Sequence, residues 1–438
     1  MREMKDSGIE WIGQVPNNWK LKKGKYLFKQ HNNRGNLKCL QLLSPSQKFG
    51  VIPQTLLEEL TTQNVVKVSE KANLNDFKTV HVGDFCISLR SFQGGFEYSR
   101  YEGVVSPAYQ IFSAIGDNLC DGYYRYLFKG KSFIDKMNSY TMTLRDGKNI
   151  AFDDFGNTYI PVPTKSEQEK IANFLDSKCS EIDAISADIQ KEIEILEQYK
   201  RSVITEAVTK GLNPDVEMKD SSVEWVGIIP ASWTSSRLGY ETYIRARLGW
   251  KGLKADEYVD EGYAFISAFN IQNNKLVWTP LNYITKERYD ESPEIKLHIG
   301  DVIIVKDGAG IGKCARIDSL PMGETAPNSS IGVITPLAKL NYRYLAYYLQ
   351  SAIFNNLILK LLNGMGVPHL TQEVLNKTPI LLPPKQEQVR IANFLDSKCC
   401  EIDSAIETKK KQIDILDAYK KSLIYEYVTG KKEVPVQN

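Results

Sequence analysis

The sequence contains Ile171-Ala-Asn-Phe-Leu-Asp-Ser-Lys-Cys179 and repeats it letter for letter as Ile391-Ala-Asn-Phe-Leu-Asp-Ser-Lys-Cys399. The identity extends beyond this stretch, because Gln168–Ser202 and Gln388–Ser422 align without a gap and share 20 of 35 positions. A duplicated segment of this length indicates an internal repeat. The chain is therefore expected to consist of two similar halves.

A second repeat lies near the start of each half. The first copy is Trp11-Ile-Gly-Gln-Val-Pro-Asn-Asn-Trp19, and the second is Trp225-Val-Gly-Ile-Ile-Pro-Ala-Ser-Trp233. Two tryptophans with Gly and Pro between them predict a turn held by aromatic packing, rather than a ligand site. Each half thus has a head, a body and a long helix. Two like modules on one chain suit a target with two like halves.

The composition is that of an ordinary globular protein. With 438 residues, 42% of them hydrophobic and 25% charged, the chain can form two or three domains. The net charge of +2 does not by itself indicate a polyanionic partner. The 7 cysteines are scattered and odd in number, which favours reduced thiols and a cytoplasmic location. We expect neither a signal peptide nor a membrane span.

The two bodies share a frame but not their residues. Short β-rich runs at Phe85–Leu89 and Val302–Val305 each follow a Gly-Asp turn, which predicts equivalent strands. A second matched point, at Asn157–Pro163 and Lys377–Pro383, predicts a strand that ends in proline before each long helix. Between these points the bodies diverge almost completely. Two copies of one fold that recognise two different targets would give this pattern.

The strongest local signal is the pair of long helices. Neither Pro nor Gly occurs in Ser166–Lys210 or Gln386–Thr429, and Gly211 and Gly430 lie where helix C-caps belong. About 40 residues at 1.5 Å each span roughly 60 Å, more than a compact domain needs. Sustained heptads predict a partner helix, and the other copy is the obvious one. The predicted pairing residues are Leu175, Ile182, Ile189, Leu196 and Val203 in the first helix, with Ile171, Ile185, Ile193 and Tyr199 beside them. In the second they are Leu395, Ile402, Leu416 and Leu423, with Lys409 interrupting the series and Ile391, Ile406, Ile413 and Tyr419 beside them.

A glycine-rich stretch is the most specific hint of chemistry. Gly308, Gly310 and Gly312 follow a predicted strand, as in an S-adenosylmethionine loop or a phosphate-binding loop. The phosphate-loop pattern fails, however, because Asp307 replaces its first Gly and Cys314 its Ser or Thr. The interpretation we favour is a tight turn whose backbone can approach a phosphate or another backbone. No catalytic residues and no metal ligands are predicted, since carboxylates, His and Cys lack suitable spacing.

Polar and aromatic residues in the predicted loops favour nucleic-acid recognition. Arg, Lys, Asn and Gln can pair with guanine or adenine edges in the major groove, and others can contact phosphates. The candidate DNA-binding residues of the first body are Arg90, Gln93, Arg100, Tyr109, Arg145, Lys148 and Asn149. Those of the second body are Arg245, Arg247, Lys251, Lys306, Lys313, Asn328, Ser330 and His369.

These features together resemble a known family. Each long helix begins with the pattern E-Q-x-x-I-A, at Glu167–Ala172 and Glu387–Ala392, shortly after a proline. With the two Trp-x-Gly-x-x-Pro-x-x-Trp heads, the full chain resembles the specificity subunit of a Type I restriction-modification system. The resemblance implies an α+β fold in which two α/β target-recognition domains alternate with two long helices. In the family these helices pair as an antiparallel coiled coil, so the resemblance also implies a pseudo-twofold internal repeat.

The resemblance also implies a function. Each recognition domain would read one half of a bipartite target in double-stranded DNA, and the paired helices would set the length of the spacer. The chain itself would be non-catalytic and would bind no cofactor. It would dock two methyltransferase subunits, with motor-nuclease subunits added in the full complex. That complex would use S-adenosylmethionine, ATP and Mg.

The expected domains follow this layout, with recognition domain 1 at 1–163 and helical repeat 1 at 164–211. A linker and recognition domain 2 occupy 212–383, and helical repeat 2 with the tail occupies 384–438. Two alternatives remain open. One is a two-armed coiled-coil interaction protein without DNA specificity, supported by the heptads and the weak net charge. The other is a free-standing methyltransferase, supported only by the glycines at 308–312.

Overall fold

The computed structural model describes residues 2–35, 40–61, 75–87, 95–140, 150–223, 225–246, 253, 255–308, 310–362 and 369–435. The chain forms two compact units. Unit 1 comprises Met1–Ile189 and Lys411–Asn438, and unit 2 comprises Gln190–Lys410. Each long helix is therefore divided between the units. The domain boundaries expected from the sequence differ from these units, because they follow the secondary structure and keep each long helix whole as a separate domain.

The first half of the chain contains thirteen strands and five α-helices among the described residues, with a 3-10 turn at Gly24–Tyr26. The elements are β1 (Met4–Asp6), β2 (Gln14–Pro16), β3 (Lys20–Lys23), β4 (Phe28–His31), β5 (Arg34–Gly35), β6 (Leu43–Ser46), β7 (Gly50–Pro53), α1 (Gln54–Thr61), β8 (Phe77–Val80), β9 (Phe85–Ile87), β10 (Phe96–Tyr98), β11 (Gly103–Val105), β12 (Gln110–Ala114), α2 (Asp121–Leu127), α3 (Lys131–Ser139), α4 (Phe152–Asn157), β13 (Tyr159–Val162) and α5 (Lys165–Lys210).

The second half repeats this plan, with 3-10 turns at Ala255–Glu257, Ala268–Asn270 and Pro293–Ile295. The elements are β14 (Met218–Asp220), β15 (Ile228–Pro230), β16 (Thr234–Arg237), α6 (Leu238–Glu241), β17 (Thr242–Arg245), β18 (Tyr263–Ile266), β19 (Ile271–Gln272), β20 (Lys275–Leu276), β21 (Asn282–Ile284), α7 (Lys286–Asp290), β22 (Val302–Val305), β23 (Cys314–Arg316), β24 (Thr325–Pro327), β25 (Ile331–Pro336), α8 (Tyr342–Gln350), α9 (Ala352–Leu362), α10 (Gln372–Lys377), β26 (Pro379–Leu382) and α11 (Lys385–Val428).

The central sheet of each unit has the same strand order. It runs β10-β9-β12-β4 in unit 1 and β23-β22-β25-β17 in unit 2, with every neighbouring pair antiparallel. The predicted strand at Val302–Val305 is confirmed, and that at Phe85–Leu89 is observed over its described part, Phe85–Ile87. The strands β13 and β26 pair with β3 and β16, just before each long helix. The prediction of a shared frame is therefore correct.

The cores explain how one frame holds such different sequences. In unit 1 the centre is aromatic, and the ring of Phe28 lies 5.2 Å from that of Tyr124 and 5.5 Å from that of Phe128. In unit 2 the matching space holds mostly aliphatic side chains, such as Ile304 and Ile334. Burying each of these side chains contributes roughly 1.5–3 kcal/mol, so either filling stabilises the sheet.

Each head packs against the end of a long helix. Trp19 is buried in the core of unit 1, and Trp233 is buried in that of unit 2. The C-cap residue Gly430 has φ +72°, and a Cβ there would lie 2.9 Å from Cη2 of Trp19. Gly211 has φ +77°, and its Cβ would lie 3.3 Å from Cζ2 of Trp233. Both the left-handed backbone and the contact with the head favour glycine at these caps.

The Gln of the E-Q-x-x-I-A pattern fixes the start of each long helix. Gln168 is buried, accepts a hydrogen bond from the backbone N–H of Cys120 (2.8 Å) and donates to the carbonyl of Pro163 (3.0 Å). Gln388 does the same with Asn341 (2.8 Å) and Pro383 (2.9 Å). The repeated motif thus ties the helix to the loop before α2 or α8.

The long helices, of 46 and 44 residues, run antiparallel within each unit. In unit 1 the rings of Phe174 and Tyr427 pack at a centroid distance of 4.5 Å, and Asp183, further along α5, pairs with the earlier residue Lys420 of α11. In unit 2 the ion pairs are Glu192–Lys409 and Lys200–Asp403. Lys409, which interrupts the predicted heptads, thus has a carboxylate partner across the helix pair.

The residues of the predicted heptads differ in burial. Of the predicted pairing residues, Leu175, Ile182, Leu395, Ile402 and Leu423 are buried, whereas Ile189, Leu196, Val203 and Leu416 are only half-buried. A straight α-helix drifts by about 20° per heptad relative to a 3.5-residue repeat, so neighbouring positions share the seam. The broader stripe was wrong for Ile185, Tyr199 and Tyr419, whose side chains are exposed. Within the described residues, no helix carries the apolar stretch that crossing a bilayer requires.

Candidate nucleic-acid interface

In unit 2, one end of the central sheet collects most of the described candidate DNA-binding residues. This recognition edge lies where β22 ends at Val305, opposite Ile331 at the start of β25. Lys306 follows Val305, and its N–H donates to the carbonyl of Ser330 (2.7 Å). Asn328 and Ser330 precede Ile331, and the Ser330 hydroxyl donates to Oδ1 of Asn328 (2.7 Å).

His369 joins the same edge from a distant part of the chain. It forms a β-bridge with Asp307, and its Nδ1 contacts the Asp307 carboxylate. The N–H of Leu370 donates to the carbonyl of Lys306 (2.9 Å), which holds this segment beside the loop. Both side chains of the His–Asp pair remain partly exposed. The edge thus presents a cation, an amide, a hydroxyl and an imidazole, the groups that contact phosphates and base edges.

The glycines at 308, 310 and 312 form a hairpin turn. They connect β22 with its antiparallel neighbour β23, and the N–H of Gly312 donates to the carbonyl of Val305 (2.9 Å). Gly308 has φ +80° and Gly312 has φ +85°. Dinucleotide and S-adenosylmethionine loops instead lead from a strand into a helix whose N-terminus faces the ligand. The tight-turn interpretation is therefore correct, and the loop exposes Lys313.

Arg245 has a structural role in this structure, contrary to its prediction as a DNA contact. Its guanidinium is buried and pairs with the buried carboxylate of Asp301, with Nη2 to Oδ2 at 2.7 Å. Its Nη1 donates to the carbonyl of Lys296 (3.0 Å), and Nη2 also donates to the hydroxyl of Thr335 (2.8 Å). Removing the guanidinium from this site would leave a buried carboxylate without its partner, which is costly. No pattern in the sequence indicates that this arginine faces inward.

In unit 1 the corresponding edge lies at Ile87 and Gln110, which are paired across β9 and β12. The Gln110 amide donates to the carbonyl of Ile150 (2.9 Å) and accepts from the N–H of Phe152 (2.8 Å). Tyr109 precedes Gln110 and is half-buried. The other candidates at 88–94 and 141–149, which are Arg90, Gln93, Arg145, Lys148 and Asn149, lie outside the described residues, as do Arg247 and Lys251 in unit 2.

The structure separates Arg100 from this edge. Phe96 pairs with Ile87 at the recognition edge, whereas Tyr98 pairs with Phe85 at the other end of the strand, and Arg100 follows it. Arg100 is exposed there and lines an open cleft with Tyr98, Lys48 and Arg125. Arg100 and Tyr109 therefore lie near opposite ends of the central sheet of unit 1.

Comparison with known proteins agrees with the repeat. Residues 16–195 and 249–418 each match the family model of the Type I restriction modification DNA specificity domain. The chain belongs to this family. The first matched segment contains the whole central sheet of unit 1, the second contains β22, β23 and β25 of the central sheet of unit 2, and each contains a large part of one long helix, so the duplicated family domain corresponds to the two halves of the sequence.

Individual relatives of this specificity family are distant. The chain is 29% identical over 283 residues to the Type I restriction enzyme MjaVIII specificity subunit of Methanocaldococcus jannaschii, covering 64% of this chain and 63% of the relative. It is 26% identical over 209 residues to the EcoKI specificity subunit of Escherichia coli, covering 47% and 44%. The chain thus spans less than two thirds of either relative. A solved chain from a study of complex assembly and conformational transition of the type I R-M system shares the fold, with a TM-score of 0.69 and 15% identity over 95% of this chain and 99% of that one.

Sequence reasoning missed two polar groups of this specificity chain. Near Lys313, an open groove is lined by Phe269, Gln272, Asn273 and Asn274, and Phe269 is exposed. The Asn-Asn dipeptide forms the turn between β19 and β20, with φ +50° and +59°. Residues that tolerate positive φ between two short strands indicate a hairpin, so this turn could have been predicted. Amide side chains at such a turn are suited to pairing with adenine.

The second missed group is a basic strand in unit 1. Lys20 and Lys22 are exposed on β3, Lys25 follows them, and Tyr26 beside Lys25 is 66% exposed. The run was visible as Lys20-Leu-Lys-Lys-Gly-Lys25. It adjoins the Phe28 end of β4, opposite the recognition edge, because Phe28 pairs with Ala114. The matching residues of unit 2 are mostly uncharged: Thr234, Ser236, Arg237 and Gly239.

A carboxylate on each long helix anchors the recognition body. In unit 2, Asp396 accepts hydrogen bonds from Arg316 (2.6 Å), Arg343 (2.8 Å) and Tyr347 (2.7 Å). Burial opposes ionisation of Asp396, but the hydrogen bonds from Tyr347 and Arg316 and the arginine charge hold its pKa below the ordinary value. In unit 1, Asp176 contacts Arg125 and accepts from Tyr126 (2.6 Å). Among the described residues, no group of His, Cys, Asp and Glu is placed to hold a metal ion.

Proposed function

We propose that this chain is the DNA-recognition subunit of a Type I restriction-modification complex, with each unit reading one half of a bipartite target. The observation that carries the proposal is one sheet frame shared by both units, with unlike described residues at its matching edges (Lys306 and Asn328 in unit 2, Tyr109 and Gln110 in unit 1), in a chain of the DNA specificity family. Two halves with one frame and unlike edges suit two unlike half-sites on one duplex.

The chemistry of the unit 2 edge supports double-stranded DNA as the ligand. Lys306 and Lys313 can contact phosphates and position the unit on the duplex. Asn328 and His369 can hydrogen-bond to base edges, and each good pair discriminates by about 1–3 kcal/mol. In this proposal Gln272, Asn273 and Asn274 extend the same readout beside Lys313.

The long helices support the proposed docking of two methyltransferase subunits. Ile195 and Tyr199 lie one turn apart on α5 and are exposed by 62% and 48%. Ile415 and Tyr419 occupy the matching positions of α11 and are exposed by 67% and 55%. Two copies of one exposed apolar pair suit two copies of one partner, because a docked subunit would bury each pair in the same way. Motor-nuclease subunits would join to form the full complex.

The cofactors belong to those partners in this proposal. S-adenosylmethionine would serve the methyltransferase subunits, while ATP and Mg would serve the motor-nuclease subunits. The chain itself would supply recognition and spacing without catalysis. Its glycine-rich turn supports this division, because it joins two antiparallel strands and offers no helix N-terminus to a phosphate.

The experiment that tests the proposal is a map of methylated adenines in DNA from cells with this chain and its methyltransferase subunit. Matched cells carry the chain with Lys306→Gln, Asn328→Ala and His369→Ala. We expect a split motif with a fixed gap from the original chain, and loss or relaxation of one half of that motif from the variant. Chain-independent methylation, or a continuous motif without a gap, would contradict the proposal.

A further inference from the structure

The two units differ at one aromatic contact between the long helices. In unit 1 the ring of Phe174, on the repeated Ile-Ala-Asn-Phe stretch, lies 4.5 Å from the ring of Tyr427 on α11. Tyr427 is buried, and Val434 packs against the same core. The start of α5 is thus covered by an aromatic side chain of the chain itself.

In unit 2 the matching phenylalanine is uncovered. Phe394 is 41% exposed, and the residue matching Tyr427 is Ala207. An open groove of about 690 Å³ lies there, with Phe394, Ala207, Val203 and Ile228 among its lining residues. Tyr199 also lines it, and this residue belongs to the exposed apolar pair of α5.

The two helix ends are otherwise held in the same way. The hydroxyl of Tyr123 donates to the carbonyl of Val428 in unit 1 (2.7 Å), and that of Tyr344 donates to the carbonyl of Val208 in unit 2 (3.3 Å). Because Val428 and Val208 directly follow Tyr427 and Ala207, the two positions correspond in space as well as in sequence. The groove therefore follows from the missing ring, not from a shift of the helix.

We propose that the unit 2 groove receives an aromatic side chain from a methyltransferase subunit. Unit 1 shows which chemistry fits, since a tyrosine ring occupies the matching position over Phe174. Ring pairs of this kind prefer centroid separations of about 4.5–7 Å and add to the burial of apolar area. The groove is continuous with Tyr199, so one partner segment can cover both. This inference rests on the proposed docking of methyltransferase subunits.

A consequence is that the two docking faces are unequal. The methyltransferase subunit that docks on unit 2 can contact both an exposed Ile–Tyr pair and the open groove. The subunit that docks on unit 1 meets a groove already filled by Tyr427. Burial of one additional aromatic ring strengthens binding by about tenfold or more. The first methyltransferase subunit is thus expected to bind unit 2, and the second to bind unit 1 more weakly.

The test is a titration of the full chain with its methyltransferase subunit, followed by mass photometry. Ala207→Tyr fills the groove with the residue that unit 1 already uses. Ala338→Tyr adds the same side chain at an exposed alanine and serves as the control. The original chain and the control should show two binding steps about tenfold apart. In the Ala207→Tyr variant the tighter step should weaken about tenfold, so that the two steps merge.

The possible results separate this inference from the function it rests on. If the Ala207→Tyr variant melts like the original chain and the affinities of its two binding steps are unchanged, the groove assignment is overturned and the docking proposal stays intact. Absence of any binding step with the original chain would instead overturn the docking proposal. Loss of self-association of the chain alone, with unchanged methyltransferase binding, would assign the groove to a second copy of this chain and also overturn the inference. Phe394→Ala, which removes a wall without filling the groove, should weaken the same step.

Discussion

Lys200 on α5 and Asp403 on α11 form an ion pair, with Nζ 2.6 Å from Oδ1. The pair recurs in unit 1 as Lys420 and Asp183, also at 2.6 Å, at positions that correspond in the repeat. The two copies are not identical, however. Asp403 also accepts from Lys275 of the β19–β20 hairpin (2.9 Å), so in unit 2 the pair ties a loop of the recognition body to the helix.

This difference predicts unequal effects of two matched substitutions. Asp403→Ala should lower the free energy of unfolding more than Asp183→Ala, by up to about 1 kcal/mol, because it removes two partly exposed ion pairs instead of one. It should also speed amide hydrogen exchange in Ile271–Leu276. Thermal unfolding and exchange mass spectrometry measure the two effects. Equal exchange of this hairpin in both variants would show that Lys275 does not tether it.

The buried glutamines predict a larger effect. Gln388→Leu leaves the N–H of Asn341 and the carbonyl of Pro383 without their partner, and each unsatisfied buried group costs about 1–3 kcal/mol. We expect a fall in the melting temperature of unit 2 and fast exchange of the Asn341 amide. Gln198→Leu, at an exposed position of α5, is the matched control. Slow exchange at Asn341 in the variant would refute this role.

The sequence predicted the elements whose signals are local. The helices at 165–210 and 385–428, their glycine caps and the strand at Val302–Val305 follow from periodicity and turn residues, which act over short distances. The repeat also predicted the common frame, because matched turns at Gly83-Asp84 and Gly300-Asp301 place equivalent strands in both bodies.

The candidate site was less predictable, because burial depends on distant partners. Arg245 and Arg100 both have the side chain of a typical DNA contact. Asp301, however, holds Arg245 in the interior of unit 2, and the strand register places Arg100 at the end of its strand opposite the recognition edge. His369 reaches the edge only through its bridge to Asp307, which is 62 residues away. No spacing in the sequence encodes these contacts.

Asp396 predicts a pH dependence in unit 2. Its folded pKa lies below the ordinary value of 3.8, so its contribution to stability is complete above that value and is lost as the pH falls through the folded pKa. Asp396→Asn should therefore cost about 2 kcal/mol at pH 7, and the difference from the original chain should shrink below about pH 4. Urea unfolding followed from pH 7 to pH 3 measures this. Asp414→Asn, exposed on the same helix, should show no such convergence.

The antiparallel helices predict how the accepted DNA spacer depends on their length. Inserting one heptad after Ile189 and one after Lys410 lengthens both helices by about 10 Å and keeps their facing residues within about 20° of register. The spacer of the methylated motif should grow by about three base pairs, at about 3.4 Å each, with both half-sites unchanged. Inserting the heptad in α5 alone is the control, because it breaks the pairing. An unchanged spacer in the double insertion would show that the helices do not set it.

The recognition edge predicts that two kinds of residue affect DNA binding differently. Lys306→Gln and Lys313→Gln should weaken binding to all duplexes alike, and each should reduce the slope of log K against log salt by about 0.9. Asn328→Ala should instead cost about 1–3 kcal/mol on the cognate half-site only, which relaxes specificity at one base pair.

Lys377→Gln is the charge-matched control, because Lys377 is already paired with Glu373 at 2.5 Å. The measurement is binding of the complex to cognate and scrambled duplexes over a range of salt concentrations. Equal losses on both duplexes for Asn328→Ala would place this residue among the backbone contacts, and a large loss for Lys377→Gln would mean that net charge, not the edge, controls affinity.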